Sequence, residues 1–412
     1  MKKNIVASLD IGTTKTCALI AERESDGTIR ILGSGIAKSE GMIYGSVANV
    51  LRMHEAIKSS IKEAEAQSGL KISKVNVGVA GIYINSMRYR NWVMINNPDG
   101  LITREDVDKL FDDVRKIRVS SDYFILHIIP EKYIIDDSKI EYTLPIGIAA
   151  RKVEAWHHIV LANIASTENL KKAISMAGLE INSLILQPLA SANAVLERDE
   201  KELGVVLIDI GGGTTDLAVY VNGSIRHTRV IGIAGNHITN DIKSFFNLIT
   251  EQSEKLKIDY GYATTKALLR DETIFVKSLG ARPPVQINLS VLAHVIQLRM
   301  TQLFNFVNNE LVNSNLKSKI RAGIVITGGG ALLRGITELA SDILEMQARI
   351  GIPTNITVEN SSDISNPIYS TAIGLLHDGV PSIIETPKKD KPYFKNSIKT
   401  QVKKIFDFIK NL

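Results

Sequence analysis

Two stretches of this chain carry the residue types that grip phosphate. They are Asp10-Ile-Gly12-Thr13-Thr14 and Asp209-Ile-Gly211-Gly212-Gly213-Thr214-Thr215-Asp216, each placed directly after a strand-like apolar run. Glycines at such a turn let backbone N–H groups approach phosphate oxygens with no Cβ in the way, and the threonine hydroxyls add donors. A carboxylate repels phosphate, so Asp10 and Asp209 suit a hydrated Mg²⁺, held through water. A third cluster, Gly328-Gly329-Gly330, follows the strand-like Gly323 to Thr327 and offers a flat surface for a base or ribose. A lone Asp-x-Gly is more often only a tight turn. Two copies roughly half a chain length apart, joined by the third cluster, favour a duplicated fold closing on one nucleotide.

The elements that must position these loops are legible around them. Strands near 4–9, 17–22 and 29–36 alternate in polarity and turn at Asp26-Gly27, as an antiparallel meander does. A helical apolar spacing then runs from His54 to Ser68 and stops at Gly69, and Val75 to Val79 returns as a strand. From Leu203 the pattern restarts: strands at 203–208 and 217–221, a turn at Asn222-Gly223, a strand at 225–231, then helices. Residues 81–160 break the pattern between the halves. Thr103-Arg-Glu-Asp106 opens a helix with a capping-box-like arrangement, and Phe124 to Pro130 and Tyr133 to Asp136 read as strands. This predicts an inserted small domain of two or three strands with a helix on one side. A second insertion, 232–305, is mostly helical and polar.

Composition bounds the class. At 412 residues, 44% hydrophobic and 23% charged, the chain has room for two to four subdomains around a buried core. The single cysteine, Cys17, excludes an intramolecular disulfide framework and is expected to be a small core residue in a reducing cytosol. Met1-Lys2-Lys3 could open a leader, but Asp10 interrupts the apolar stretch before a signal core is complete. No run approaches the roughly 18 apolar residues of a membrane span.

The net charge of +5 is concentrated in the tail, where residues 386–412 hold eight lysines and two aspartates. The rest of the chain is close to neutral and is not expected to bind nucleic acid. The linker 386–396 within the Pro381 to Asn396 stretch lacks periodicity. Beyond it, in 397–412, Ile398, Val402, Ile405, Ile409 and Leu412 fall on one helical stripe. Phe406 and Phe408 lie at its edges, and Lys399, Lys403, Lys404 and Lys410 on the other side. The plain alternative is a terminal helix packed on the body; the polar tether and the rim phenylalanines favour a lipid interface instead.

With these residues in view, the chain resembles the actin, chaperone and sugar-kinase ATPase superfamily, through both Asp-Ile-Gly loops, the Gly328 triplet and Ser370-Thr-Ala-Ile-Gly374. Within it, five stretches resemble the bacterial cell-division family FtsA: Gly41-Met42-x-x-Gly45-x-Val47, Glu202-Leu-Gly-Val-Val, Arg226-His-Thr-x-Val, Gly280-x-Arg-Pro-Pro284 and Tyr369-Ser-Thr-Ala-Ile-Gly-Leu-Leu-His377. The similarity covers essentially the whole chain.

The resemblance implies an α/β, actin-like duplicated ATPase fold with an inserted 1C domain and a C-terminal amphipathic helix. Subdomain 1A would comprise 1–80, 161–202 and part of 366–385; 1C, 81–160; 2A, 203–231 and 306–365; and 2B, 232–305. It also implies ATP and Mg²⁺ in the cleft, polymerisation into a filament, and recruitment of the tubulin-like FtsZ through its C-terminal peptide on 2B, near Gly280 to Pro284 and Arg299. Later division proteins would bind through 1C. The helix 397–412 would hold the protein peripherally on the anionic cytoplasmic face of the inner membrane at the septum.

Carried over residue by residue, Gly12, Thr13, Thr14 and Lys15 match the first phosphate loop, and Gly211, Gly212, Gly213 and Thr214 the second. Lys15 could pair with phosphate or be solvated. Glu254 and Lys257 match a ribose and base pair of contacts, or form a surface i,i+3 ion pair. Gln187, with Asp209 opposite, sits where the superfamily orients the attacking water. An amide can position water but cannot take its proton, so the expectation is at most a slow ATPase whose main role is structural.

A sugar-kinase-like phosphotransferase shares the fold, but it needs a carboxylate base over a second substrate, and no such motif precedes Asp209. A chaperone needs a peptide-binding domain, for which too little chain remains. With no Gly-Lys dipeptide, a P-loop is excluded.

Overall fold

The computed structural model describes residues 4–277, 283–358 and 364–377. The linker 386–396, the stripe 397–412, the end of the 366–385 segment, Gly280 and Arg282 lie outside the described residues.

The first half opens with β1 (Ile5–Ile11), β2 (Lys15–Arg23) and β3 (Ile29–Lys38), an antiparallel meander. Two short strands, β4 (Met42–Ile43) and β5 (Ser46–Val47), form a hairpin before α1 (Val50–Ser68). This helix starts four residues before the expected His54, because Asn49 caps it by accepting from the Arg52 N–H at 3.0 Å. It stops at Gly69, whose left-handed φ of 68° ends the helical ladder. β6 (Lys74–Val79) then lies parallel to β1.

The inserted unit comprises β7 (Ile84–Met94), α2 (Arg104–Arg115), β8 (Tyr123–Ile135) and β9 (Lys152–Asn163), with α2 covering one face of a β7-β9-β8 sheet. The capping box at Thr103 and Asp106 forms at the start of α2. The two strands expected around Pro130 are one strand: Pro130 lacks an N–H for the ladder, and β8 absorbs the defect as a register shift between Pro130 and Lys132. Val107, Leu110, Phe111 and Val114 bury against Ile128, Tyr133 and Ile159, which gives this unit its own core.

The chain returns through α3 (Ile164–Met176), β10 (Glu180–Leu186), α4 (Gln187–Val195) and α5 (Arg198–Leu203), so Leu203 ends a helix and the next strand begins two residues later. β11 (Val205–Ile210), β12 (Thr215–Val221) and β13 (Ser224–Ile231) repeat the opening meander. α6 (Gly235–Phe246), α7 (Thr250–Tyr260) and the hairpin of β14 (Thr273–Val276) and β15 (Val285–Asn288) follow. α8 (Leu289–Asn313) is continuous through residue 305, where the second insertion was expected to end, because its buried stripe from Leu292 to Leu311 packs along one core. β16 (Gly323–Thr327), α9 (Ile336–Leu344), β17 (Ala348–Ile350), β18 (Ile356–Val358) and α10 (Ser370–Gly374) follow among the described residues.

The result is two sheets built alike, β10-β6-β1-β2-β3-β18 and β13-β12-β11-β16-β17. In both, the strand that ends in the Asp-Ile-Gly turn pairs antiparallel with the next strand and parallel with a later one. Asp10 stands opposite Cys17 in one ladder, and Asp209 opposite Asp216 in the other. Cys17 is fully buried, as expected of a core residue.

The inserted sheet leans on β13 of the second half. Ser86 Oγ donates to the Thr228 carbonyl at 3.0 Å, and His158 Nε2 lies 2.9 Å from Thr228 Oγ1. Arg226, mostly buried, reaches Glu141 at 3.3 Å, while Arg88 grips Glu131 with two nitrogens at 2.6 to 3.0 Å. A cavity of about 800 Å³ runs along this seam between Arg88, Lys132, Arg226 and Lys319. Polar contacts of Ser86, His158 and Glu141 with β13 therefore join the inserted unit to the second half, beside an apolar cluster that includes Leu126, Val160 and Ile225.

Candidate functional site

The two halves close on a cavity of about 410 Å³, lined by both Asp-Ile-Gly turns, the Gly328 cluster and the start of α6. Asp10 and Asp209 reach it because each is the penultimate residue of a buried strand. The hairpins face each other closely. A Cβ on Gly212 would lie 2.3 Å from Thr14 Cγ2, and one on Gly213 would lie 2.3 Å from Thr13 Oγ1. Gly328 adopts φ 79°, and a Cβ there would meet Asp209 Oδ1 at 2.3 Å. Glycine at these places leaves backbone and space where side chains would otherwise stand, which fits a phosphate chain threading between the loops.

The carboxylates are the electrostatic centre. Asp10 is pushed up to about 6, first by burial, which disfavours its charge, then eased by Lys15 and raised by Asp209. Asp209 is also raised by burial, partly offset by hydrogen bonds from Ser191 Oγ at 2.6 Å and Thr371 Oγ1 at 3.2 Å. Asp216 is raised well above the usual carboxylate range by burial and by Asp209, and its Oδ1 has no hydrogen-bond partner. Among the described residues no three acids, histidines or cysteines are grouped to ligate a metal directly, so these acids fit a divalent cation only through its water shell, and its charge would favour their carboxylate forms.

Gln187 is the first residue of α4, placed there as β10 ends; Pro188 behind it fits the first helical turn, where no N–H is required. Its Nε2 donates to Asp10 Oδ1 at 2.9 Å. His127 of the inserted unit accepts the Leu186 N–H through Nε2 at 3.0 Å, fixing the backbone just before it. Lys15 lines the cavity, but its ammonium donates to the Ile368 carbonyl and lies 5.1 Å from the Tyr369 ring centroid. The side chain is thus held by the segment before α10.

Glu254 and Lys257 also line the cavity. They pair at 2.7 Å, and the Lys257 ammonium also donates to Thr239 Oγ1 at 2.9 Å and to the Gly235 carbonyl at 3.1 Å. The ion pair and the cleft-lining position therefore coexist. Gly12, Thr13, Thr14, Gly211, Gly212, Gly213, Thr214, Gly328, Gly329 and Gly330 all border the same cavity. Arg299 is taken up by Asp241 at 2.6 Å, between α8 and α6. Among the described residues no helix is long and apolar enough to cross a membrane.

Sequence reasoning did not select Asp216, Ser191, Thr371 or Thr239. Asp216 closes the second phosphate motif, and its register opposite Asp209 was the available signal. Thr371 falls inside the quoted Ser370-Thr-Ala-Ile-Gly374 segment, whereas Ser191 and Thr239 come from other parts of the chain.

The family profile "Cell division protein FtsA" matches residues 206–374, "SHS2 domain inserted in FTSA" matches 81–161, and "Type IV pilus assembly protein PilM" matches 132–268. The chain is 38% identical to the cell division protein FtsA of Pseudomonas aeruginosa, over 91% of this chain and 89% of that one. It is 36% identical to that of Escherichia coli K12, over 92% and 91%. Among solved structures it resembles a PilM-PilN type IV pilus biogenesis complex (TM-score 0.65, 17% identity, 90% of this chain and 97% of that chain). It also resembles MreB5 of Spiroplasma citri bound to ADP (TM-score 0.55, 17% identity, 90% and 94%).

Proposed function

We propose, because this chain belongs to the FtsA family of cell division proteins and has their actin-like fold, that it binds ATP with Mg²⁺ in the central cleft and works as a membrane-bound adaptor of division. The observation that carries the nucleotide reading is the single cavity joining both phosphate loops, the Gly328 cluster and Glu254 with Lys257. Backbone N–H groups of Gly12 to Thr14 and Gly211 to Thr214 would take the phosphates. Asp10, Asp209 and Asp216 would hold the metal through water, which when bound neutralises phosphate charge.

Gln187 keeps its amide oxygen for a water while its nitrogen is engaged by Asp10. An amide orients but does not deprotonate, so turnover is slow and the protein is chiefly structural.

In this reading the subdomain boundaries follow the halves and insertions: 1A carries β1 to β6, 1C is the inserted unit, and 2A and 2B form the second half. The chain polymerises, 2B takes the C-terminal peptide of FtsZ, and 1C receives later division proteins. The stripe of Ile398, Val402, Ile405, Phe406, Ile409 and Leu412, flanked by Lys403 and Lys404, attaches it to the cytoplasmic face of the inner membrane at the septum.

The test is co-sedimentation of the full chain with anionic liposomes, with and without ATP and FtsZ, beside direct titration with ATP. Attachment that strengthens with ATP and carries FtsZ down supports the reading. A chain that ignores both lipid and nucleotide overturns it.

A further inference from the structure

The β4-β5 hairpin turns at Tyr44-Gly45, with Ile43 paired to Ser46. Both turn residues have positive φ, 48° at Tyr44 and 77° at Gly45, the signature of a type I′ turn. Positive φ is uncommon for tyrosine, so the surroundings must hold it.

Three contacts hold this turn. The Gly45 N–H donates to Thr13 Oγ1 of the first phosphate loop at a long 3.4 Å. The Tyr44 ring lies 5.9 Å from the His237 ring, at the start of α6 across the cleft. The Tyr44 carbonyl accepts the Ile82 N–H at 3.4 Å. Ile82 belongs to the stem, Ala80 to Tyr83, on which the inserted unit hangs. The stem is packed hard against the turn: a Cβ on Gly45 would lie 2.6 Å from Gly81 Cα and 2.8 Å from the Ala80 carbonyl oxygen. The next stem residue, Tyr83, is buried and close enough to Asp216 for that carboxylate to add to the effect of burial on its phenol, which is raised.

We propose that Tyr44 and Gly45 position Thr13 for the phosphates and relay occupancy of the cleft to the inserted unit through the Ala80 to Tyr83 stem. The relay rests on the nucleotide reading above. The Thr13 hydroxyl can donate to a phosphate oxygen while it accepts from the Gly45 N–H, so a displacement of its oxygen toward the phosphate pulls on the turn through that bond. Because Gly45 is in contact with Gly81, the shift reaches the stem. The cavity along the seam gives the inserted sheet room to respond.

The chain supplies its own probe. Its two tryptophans both lie on the inserted sheet, Trp92 on β7 paired with Glu154 and Trp156 on β9 paired with Arg90. Trp156 sits beside the guanidinium of Arg88 at 4.7 Å, where a small displacement changes its field. The experiment titrates the full chain with ATP and Mg²⁺, reading tryptophan emission and, in parallel, binding of a fluorescent ATP analogue.

Wild type is expected to change its emission on saturation. Gly45→Ala, saturated with the analogue at whatever concentration its affinity requires, should show an emission change about fivefold smaller than wild type, because the added Cβ pushes the turn off the stem. Tyr44→Phe, which keeps the ring, should respond like wild type. Tyr44→Gly, at a half-exposed site that threatens no core, should lose most of the response and covers the case in which Gly45→Ala does not fold.

A wild type that binds the analogue without an emission change overturns the relay. So does a Tyr44→Gly or folded Gly45→Ala protein that responds in full. A wild type that binds no analogue instead overturns the nucleotide reading.

Discussion

Gln187 Nε2 donates to Asp10 Oδ1 at 2.9 Å, joining the first residue of α4 to the acid one residue before the end of β1. The contact orients the amide so that Gln187 offers an acceptor to the cleft, and it gives one lone pair of a buried carboxylate a partner. Replacing Gln187 by Ala removes the oriented oxygen. ATP hydrolysis should fall by about tenfold to a hundredfold while ATP affinity stays within a few fold, measured by phosphate release and equilibrium titration. Lost affinity would make Gln187 a structural support of the loop.

Space between the hairpins should be the limiting resource for binding. Gly212→Val places branched carbon where Thr14 already stands, since even a Cβ would be 2.3 Å from its Cγ2. ATP affinity should drop by about a hundredfold or more, or about 2.7 kcal/mol, with the melting temperature little changed. Unchanged affinity would remove this loop from the phosphate site.

Acid should weaken the metal before it weakens the fold at this site. Asp10 has its folded-state value raised from 3.8 to about 6, so its contribution to stability is complete below 3.8 and lost as pH rises through 6. A bound cation demands the deprotonated acid. Affinity for Mg·ATP should therefore fall by about tenfold per pH unit or more below 6, since Asp209 and Asp216 are raised as well, with proton release on binding in calorimetry near pH 6. Asp10→Asn should flatten that dependence.

The seam between the inserted sheet and β13 should loosen in acid. Burial lowers His158, at the seam, from 6.5 to about 3, and His157, which meets Asn91 and Phe111 inside the inserted unit, to about 4, so both are neutral when folded. Their stabilisation is full above 6.5 and is lost as pH falls from there toward those folded values. At pH 5 each should have lost about 2 kcal/mol relative to pH 7.5. Melts across that range should show the decline, and His158→Asn, which keeps a polar partner for Thr228, should reduce it by about half.

Membrane attachment should depend on the stripe beyond the described residues. Ile405→Glu should abolish recruitment to anionic liposomes while ATP binding persists, and raised salt should weaken the wild type by screening lysines worth about 1 kcal/mol each. Polymerising conditions should sharpen attachment through effective concentration. A Glu variant that stays bound would make the stripe an ordinary packed helix.

The sequence by itself determined the duplication, because each copy of strand, Asp, glycine turn and threonine is a local code: apolar alternation makes the strand, and glycine and threonine make the turn. It also determined the interruption at 81–160, whose capping box and strand runs are equally local. Closure of the two halves decided the rest. Only tertiary structure sets Gly212 over Thr14, brings Gln187 to Asp10 across 177 positions, and turns Lys15 toward the Ile368 carbonyl 353 positions away. The same closure separates two residues in matching registers. Cys17, opposite Asp10, packs into the core, while Asp216, opposite Asp209, becomes a buried acid with an unpaired oxygen. A ladder position fixes which residues stand side by side; what their side chains meet is set by the second sheet, and no local pattern encodes it.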